Sequence, residues 1–473
     1  MKKRLFFFLL IISFFFFIPY AFSSEIRMLS LADPYLTIHD PDTDWQYNPA
    51  YLLDASNQAY LEYIFGFGKR KEYYAGRRPT YFFEGKLKEN AQHKFEEELG
   101  AIFSLGKAKL GFFSESSQLK YKLSGQYFRE GRLYTQDLEY PKENDKDISL
   151  KTVYALPLDN QTSLGISLSI DKIKNIQNFR SEFVTFAEIE DLQFIEDYRF
   201  FDTNFGLCLK KEKLKIGLSL GGGVYTGDDK YTYSQLISGL GEAGEGDFKG
   251  EKIHLLGHLE YKINERLKIP LVLEGSYDKK EREYDISGYW GPYKEIDHFP
   301  RGDVILKTGL NFLIDKDFLV ATELYYNYAK YEDRYEYIDP TPAYDCYEFD
   351  TQKNTLGIKA SLEKKIFRNL IGRMGGYYSY SFYKLNYNYT SIPPSSSNYN
   401  GSGDAWQQRL GLGLGISYVP KDNFKFELGS EIVFINKYSR DIEGFHRNGS
   451  IYSRERDIED ILHRFGLRFT YLF

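Results

Sequence analysis

The sequence predicts an all-β protein, a single antiparallel transmembrane β-barrel with an even number of strands, and three observations predict it. First, the chain ends on an alternating segment. Phe465, Leu467, Phe469, Tyr471 and Phe473 fall on one face of a period-two strand, with Arg464, Gly466, Arg468 and Thr470 on the other. Second, the same alternation recurs upstream. Leu410, Leu412, Leu414, Ile416 and Tyr418 oppose Arg409, Gly411, Gly413, Gly415 and Ser417, and Leu164, Leu168 and Ile170 oppose Gly165, Ser167, Ser169 and Asp171. Third, no long apolar run follows the first 23 residues, yet aromatics make up 18% of the chain. A barrel reconciles these facts, because half of each strand faces lipid and half faces water.

The two ends carry separate signals. Lys2, Lys3 and Arg4 followed by the apolar run Leu5–Ile18, with Ala21 and Ser23 at the small-residue positions, read as a signal peptide over residues 1–23. No Cys follows the run, which argues against a lipoprotein. At the other end, the terminal aromatic with a second aromatic two residues before it resembles the last strand of bacterial outer-membrane β-barrels. That resemblance implies a cell outer membrane location and makes Phe469, Tyr471 and Phe473 an assembly signal read by the barrel-assembly machinery. The register is well specified. A one-residue slip would carry Arg464 and Arg468 into lipid, at roughly 2–4 kcal/mol each near the midplane.

From residue 148 onward, strands come in pairs. Tight turns are read at Lys210-Lys211-Glu212, Asn264-Glu265, Asp315-Lys316-Asp317 and Pro420–Asn423, with looser ones at Leu158–Asn160 and Lys365–Arg368. Polar stretches near 172–196, 227–247, 285–300, 337–348, 390–404 and 439–459 separate the pairs and read as outer loops. Short turns on one side and long loops on the other suit periplasmic and extracellular rims, with both termini periplasmic. Thirteen strands are read after residue 148 and five before it, near 59–68, 79–88, 94–105, 108–114 and 118–131. The best total is eighteen, with 14 or 16 as alternatives that depend on whether Gly106-Lys107 is a turn or a bulge. Many strands exceed the 9–11 residues that a bilayer needs, so the wall should project above it.

The inward faces carry both signs of charge. Lys307, Arg373, Arg409, Arg464 and Arg468 stand with Lys151, Lys215 and Lys359 against Glu274, Glu427, Glu431, Asp171, Asp202, Glu260, Asp278 and Glu323. Such a lumen is hydrated or ion-paired and shows no bias toward anions or cations. A net charge of -6 without a basic patch excludes nucleic acid as a partner.

Residues 24–58 do not alternate. They hold Tyr47-Asn48-Pro49-Ala50-Tyr51-Leu52 after an Asp-rich turn, directly before the first strand. An Asn-Pro-Ala motif there resembles the FadL-type fatty-acid transporter barrels and their PorV-like relatives. The resemblance implies that this segment folds into or beneath the barrel (residues 59–473) as a plug, and that Asn48, Pro49 and Ala50 are plugging or gating residues. The alternative is a turn that starts a helix, with Pro49 at its first position. Inward glycines such as Gly217, Gly221, Gly223, Gly375, Gly411, Gly413 and Gly415 would let a second backbone approach the wall, or would relieve strand curvature or let aromatic neighbours pack over them.

Other patterns are weaker. Asp40, Asp42 and Asp44 have calcium-loop spacing, but Trp45 and Tyr51 stand where that loop needs Gly and Glu, so no metal is expected. His254 and His258 share one strand face roughly 13 Å apart, too far for one ion. Gly-Leu-Gly-Leu-Gly lies within a strand and is no nucleotide loop. His298 beside Asp297, and His446, are placed in outer loops with no nucleophile tied to either, so no enzyme and no cofactor is expected. Cys208, near the turn side, and Cys346, in a loop at the opposite rim, should both be free at a separation of roughly 25 Å. The functional expectation is passive passage of small solutes, hydrophobic ones among them, through a barrel embedded in outer-membrane lipid. A barrel whose outer loops bind a secretion partner or surface ligand is the alternative.

Overall fold

The structure, a computed structural model, describes Arg27, Leu29, Leu31, Thr37, Ile38, Asp40, Pro41 and residues 43–473, apart from 79–80, 130–131, 141–146, 184–187, 236–240, 289–291, 339–343, 393–398, 422 and 444–451. The expected signal peptide, Asp42 and His446 lie outside the described residues. A short helix, α1 (Asp44–Tyr47), and a 3-10 turn (Pro49–Asp54) directly precede the sheet, and Arg27 and Leu29 are helical as well. The strands are β1 (Gln58–Arg78), β2 (Tyr81–Leu105), β3 (Ala108–Arg129), β4 (Arg132–Tyr140), β5 (Asp147–Pro157), β6 (Thr162–Phe183), β7 (Glu188–Lys211), β8 (Leu214–Gln235) and β9 (Gly241–Lys262). They continue as β10 (Leu267–Gly288), β11 (Tyr293–Asp315), β12 (Phe318–Ile338), β13 (Tyr344–Phe367), β14 (Leu370–Ile392), β15 (Tyr399–Lys421), β16 (Phe424–Glu443) and β17 (Tyr452–Leu472).

Sequential strands pair antiparallel, and β1 pairs with β17 to close the sheet. β4 and β5 lie end to end, each between β3 and β6, and share one position in the wall. The barrel therefore has sixteen strand positions, an even number and one of the two alternatives to eighteen. The surplus arose before residue 132. The segments 79–88 and 94–105 are one strand, β2, whose register shifts between Lys88 and Ala91 and so breaks the alternation. Likewise 108–114 and 118–131 are one strand, β3, with the polar run Ser114–Gln118 in its middle. Gly106-Lys107 is a true turn, with Gly106 in the left-handed region at φ 65°.

The polar stretches read as outer loops are mostly strand. β6 runs on to Phe183 and β7 begins at Glu188; β10 reaches Gly288 and β11 begins at Tyr293. His298 is thus in β11 and Cys346 in β13, not in loops. Both faces of the wall are polar there, so the period-two signal vanishes while the hydrogen-bond ladder continues. Apart from β4 and β5, the strands run from 20 to 25 residues.

Outward Leu and Phe rows occupy only the half nearest the short turns. On β10, Leu271, Leu273 and Tyr277 are exposed outward, and the same face then turns to Lys279, Glu281 and Glu283. Leu218, Leu220 and Val224 on β8 and Leu410, Leu412 and Leu414 on β15 are exposed in the same belt. A continuous apolar ring of this kind requires hydrocarbon around it. Among the described residues no helix is long and apolar enough to cross a membrane. The wall's short turns are locally encoded: the Asn264 side chain accepts from the N–H groups of Arg266 and Leu267 at 2.8 and 2.9 Å, and Asp315 accepts from Asp317 N–H at 2.7 Å.

Candidate functional site in the bridged lumen

Arg27, Leu29, Leu31, Thr37, Ile38, Asp40, Pro41 and residues 43–55 lie inside the barrel at the level of the apolar belt. The local sequence explains the turn at their centre. Pro49 has its φ fixed for a helical start, and Asn48 before it is extended, so the chain changes direction there. The Asn48 side chain is fully buried. Its Oδ1 accepts from Ala50 N–H at 3.0 Å, and its Nδ2 donates to the carbonyls of Leu207 (3.1 Å) and Leu218 (3.2 Å), which face each other across β7 and β8. Pro49 and Ala50 are buried beside it.

Three glycines make this approach feasible. A Cβ on Gly165 would strike the backbone of Pro49 and Ala50, one on Gly206 would strike Asn48 Oδ1, and one on Gly217 would strike the Tyr51 hydroxyl. Across the lumen, a Cβ on Gly375 would strike the backbone of Leu31. Gly165 and Gly375 therefore serve close approach of a second backbone, whereas Gly217 admits the side chains of Tyr51 and Asn48. Gly221, Gly223 and Gly411 instead lie under the rings of His254, Phe200 and Tyr377. Both readings of the inward glycines occur, at different positions.

On the near wall, Tyr51 Oη meets His258 Nδ1 at 2.7 Å, and Trp45 stacks on Phe113 with centroids 3.8 Å apart. Leu52, Ala55, Ile102, Val153, Ala155 and Val272 complete an apolar core within the lumen. The interior is thus less uniformly polar than the charge pattern implies. Lys151 donates to Gln46 O at 3.3 Å, Lys215 pairs with Asp54 at 3.2 Å, and Asn204 donates to Tyr47 O at 3.4 Å. On the far wall, Arg27 makes a two-point contact with Glu363 (2.9 and 3.1 Å), Ser361 donates to Leu31 O at 2.6 Å, and Thr37 bonds Glu323 and Asn311. The segment therefore spans the lumen, from β3 and β5–β9 to β11–β14.

A chain of alternating charges runs from the seam of the barrel to this segment. Glu62 on β1 pairs with Arg468 on β17 at 3.0 Å, and Arg468 reaches Glu427 on β16 at 4.0 Å. Glu427 meets Arg373 on β14 at 3.6 Å, Arg373 pairs with Glu363 at 2.6 Å, and Glu363 holds Arg27, which reaches Asp40 at 3.6 Å. The step from β16 to β14 passes over β15, where Gly413 and Gly415 put no side chain in the way. Buried charges cost several kcal/mol each unless paired, and here each carboxylate faces a guanidinium. The Arg468 guanidinium also lies 3.5 Å over the Tyr60 ring.

The remaining expected lumen residues are placed as follows. Glu431 is fully buried and accepts from Arg464 Nε at 2.8 Å; Lys307 pairs with Glu274; Arg409 faces the lumen and is exposed there. Lys359 meets Glu323 at 3.2 Å and Asp202 lies 3.9 Å from His254. His254 and His258 thus serve different partners. Asp40 N–H donates to the Asp44 carboxylate at 3.2 Å, a turn contact, and among the described residues no cluster could hold a metal. Asp297 and His298 are neighbours on a strand and face opposite sides; Asp297 is buried inward, and His298 Nδ1 meets Glu281 at 3.4 Å on the outside. Cys208 and Cys346 are free and buried. Phe469, Tyr471 and Phe473 are exposed on the outer face. The outer connections that would carry the partner-binding alternative lie largely outside the described residues. Arg27, Thr37, Trp45, Gly165 and Gly206 were not singled out by sequence reasoning. Arg27 has no local signal, since its partner is 336 residues away; Gly165 and Gly206 carried one, as small residues opposite Leu rows on neighbouring strands.

Above the belt the lumen opens into a chamber of about 570 Å³ with rings from β7, β8, β9, β10, β11 and β12, among them Tyr198, Phe248, Tyr284, Phe299, Tyr335 and Tyr337. Carboxyl groups there are held above their ordinary range. Burial first, then Glu295, pushes Asp297 up to about 7; burial pushes Asp229 up to about 6 against the pull of Arg282.

No known family model and no curated protein sequence matches the chain. Among solved structures, 96% of it is similar to the whole of a Pseudomonas aeruginosa FadL homologue, at 11% identity and a TM-score of 0.44. It is similar over 95% of its length to 97% of the CymD monoaromatic hydrocarbon channel (12% identity, TM-score 0.33), and over 90% to 92% of the P. putida toluene transporter TodX (11%, 0.37). Scores this low leave the function to be argued from the lumen itself.

Proposed function

We propose that this chain is an outer-membrane barrel for passive uptake of small solutes, hydrophobic ones among them, with residues 24–58 as its gate and Asn48, Pro49 and Ala50 as the gate's fixed point. The observation that carries the reading is the bridged lumen. A segment separate from the sheet crosses the interior, and most of its ties are side-chain hydrogen bonds and ion pairs that water can replace. Its far-wall ties are the Arg27–Glu363 ion pair, the hydrogen bonds of Thr37 and Leu31 and a small apolar cluster of Leu31, Ile38 and Ala321, whereas Asn48 is locked between two strand carbonyls, so movement would begin at Arg27 and Thr37. In the same reading residues 1–23 direct export, both termini face the periplasm, and Phe469, Tyr471 and Phe473 are offered to the barrel-assembly machinery.

Single-channel recording in planar bilayers tests this. The full chain should conduct weakly, and a chain lacking residues 27–55 should conduct ions at least about tenfold better, because the lumen then holds only water. If both are silent, and neither admits toluene or fatty acid into liposomes, passage is the wrong reading.

A further inference from the structure

The chamber above the belt has an unbalanced set of charges. Arg282 is shared between Glu196 and Asp229, the latter at 3.1 Å, and Lys280 lies 3.8 Å from Asp278. Arg301 lies over the Tyr331 ring, 5.8 Å from its centre. Among the described residues, neither Glu295 nor Asp297 makes an ion pair. Glu295 accepts from the Tyr337 hydroxyl. Asp297 is only 4% exposed, lines the chamber, and its Oδ1 has no hydrogen-bond partner. A buried carboxylate oxygen in that condition costs free energy that a bound donor would recover. The walls around it are ring faces: Tyr284, Phe299, Tyr335, Tyr337 and Tyr293. Ring faces attract cations, and their edges and bodies bury hydrocarbon.

We propose that this chamber binds a compact organic cation, with its ammonium group against Asp297 and its carbon body against the surrounding rings. A neutral arene would satisfy the rings and leave Asp297 Oδ1 orphaned. An organic anion would meet Glu295 and Asp297 together. A volume of about 570 Å³ suits a small molecule. The proposal goes beyond passage and would hold for a barrel that transports nothing.

The groups that face Asp297 set its pH dependence: Glu295 on its own strand, Arg282 and Tyr284 on β10, Asp229 on β8, and Asp333, Tyr335 and Tyr337 on β12. Three carboxyls against one guanidinium, added to burial, leave Asp297 protonated below about 7. The site should therefore hold a cation above that pH and release it below.

Calorimetric titration of the full chain in detergent, using protonated 2-phenylethylamine, 2-phenylethanol and 3-phenylpropanoate at pH 8, tests the proposal. The amine should bind at least about tenfold tighter than the alcohol, the scale of one charge-assisted hydrogen bond, and the propanoate should not bind. Asp297→Asn should weaken the amine about tenfold and leave the alcohol unchanged. Lowering the pH to 5.5 should weaken the amine for the original chain and not for Asp297→Asn. Should that variant fail to fold, as judged by heat-modifiable mobility, Tyr335→Leu replaces it, with a loss expected for amine and alcohol alike. Equal binding of amine and alcohol, no amine binding, or an unchanged Asp297→Asn overturns the proposal. Conductance is measured separately, so a failed titration beside a conducting deletion sinks the cation site alone.

Discussion

The lower and upper halves of this barrel are built from the same continuous strands and have opposite interiors. Below, where Leu and Phe rows face hydrocarbon, the lumen is filled by the chain's own Leu31, Ile38 and residues 43–55 and by a buried chain of paired charges. Above, where Lys279 and Glu281 face water on the outside, the interior is an aromatic chamber with carboxyls left over. The difference teaches that what surrounds the wall and what fills it are set together. Where hydrocarbon presses from outside, the interior is packed and the buried charges from Glu62 to Arg27 are paired.

Four substitutions, with Gly257→Ala as a control, test that contrast. Arg468→Ala leaves Glu62 buried without its guanidinium and Glu427 with Arg373 alone, and should cost about 3–5 kcal/mol in urea unfolding from lipid vesicles. A cost below about 1 kcal/mol would mean that water already reaches the seam. Leu412→Arg, in the middle of the outward belt, should cost roughly 2–4 kcal/mol by the same measurement. Gly206→Ala sets a methyl against Asn48 Oδ1; roughly 1–3 kcal/mol should be lost and single-channel conductance should rise, while Gly257→Ala, with ordinary contact distances, changes neither. Lys279→Leu, outward and above the belt, should stay within about 0.5 kcal/mol. A large effect there would place hydrocarbon higher on the wall than the Leu rows do.

Legibility followed the same division. The lower half could be read because Leu410, Leu412 and Leu414 alternate with glycines, and only a strand between lipid and a lumen needs that pattern. The stretch 285–300 was read as loop because Lys294, Glu295, Asp297 and His298 put polar groups on both faces, although all four are in β11. Asp297 was placed in that loop, and the chamber was lost with it. Asn48-Pro49-Ala50 stood out as a motif, but its contacts with Gly165, Gly206 and Gly217 join strands that only the closed cylinder brings to one patch. The two extra strands came from β2 and β3, where a register shift and a polar run interrupt the alternation within single strands.

The seam joins β1 to β17. Gln58 lies opposite Leu472, and Phe473 N–H donates to Asn57 O at 3.3 Å. A sheet that lacked either strand would keep two raw edges, each with a row of unsatisfied amides and carbonyls. One pairing between strands some four hundred residues apart thus removes both adhesive borders of the wall at once.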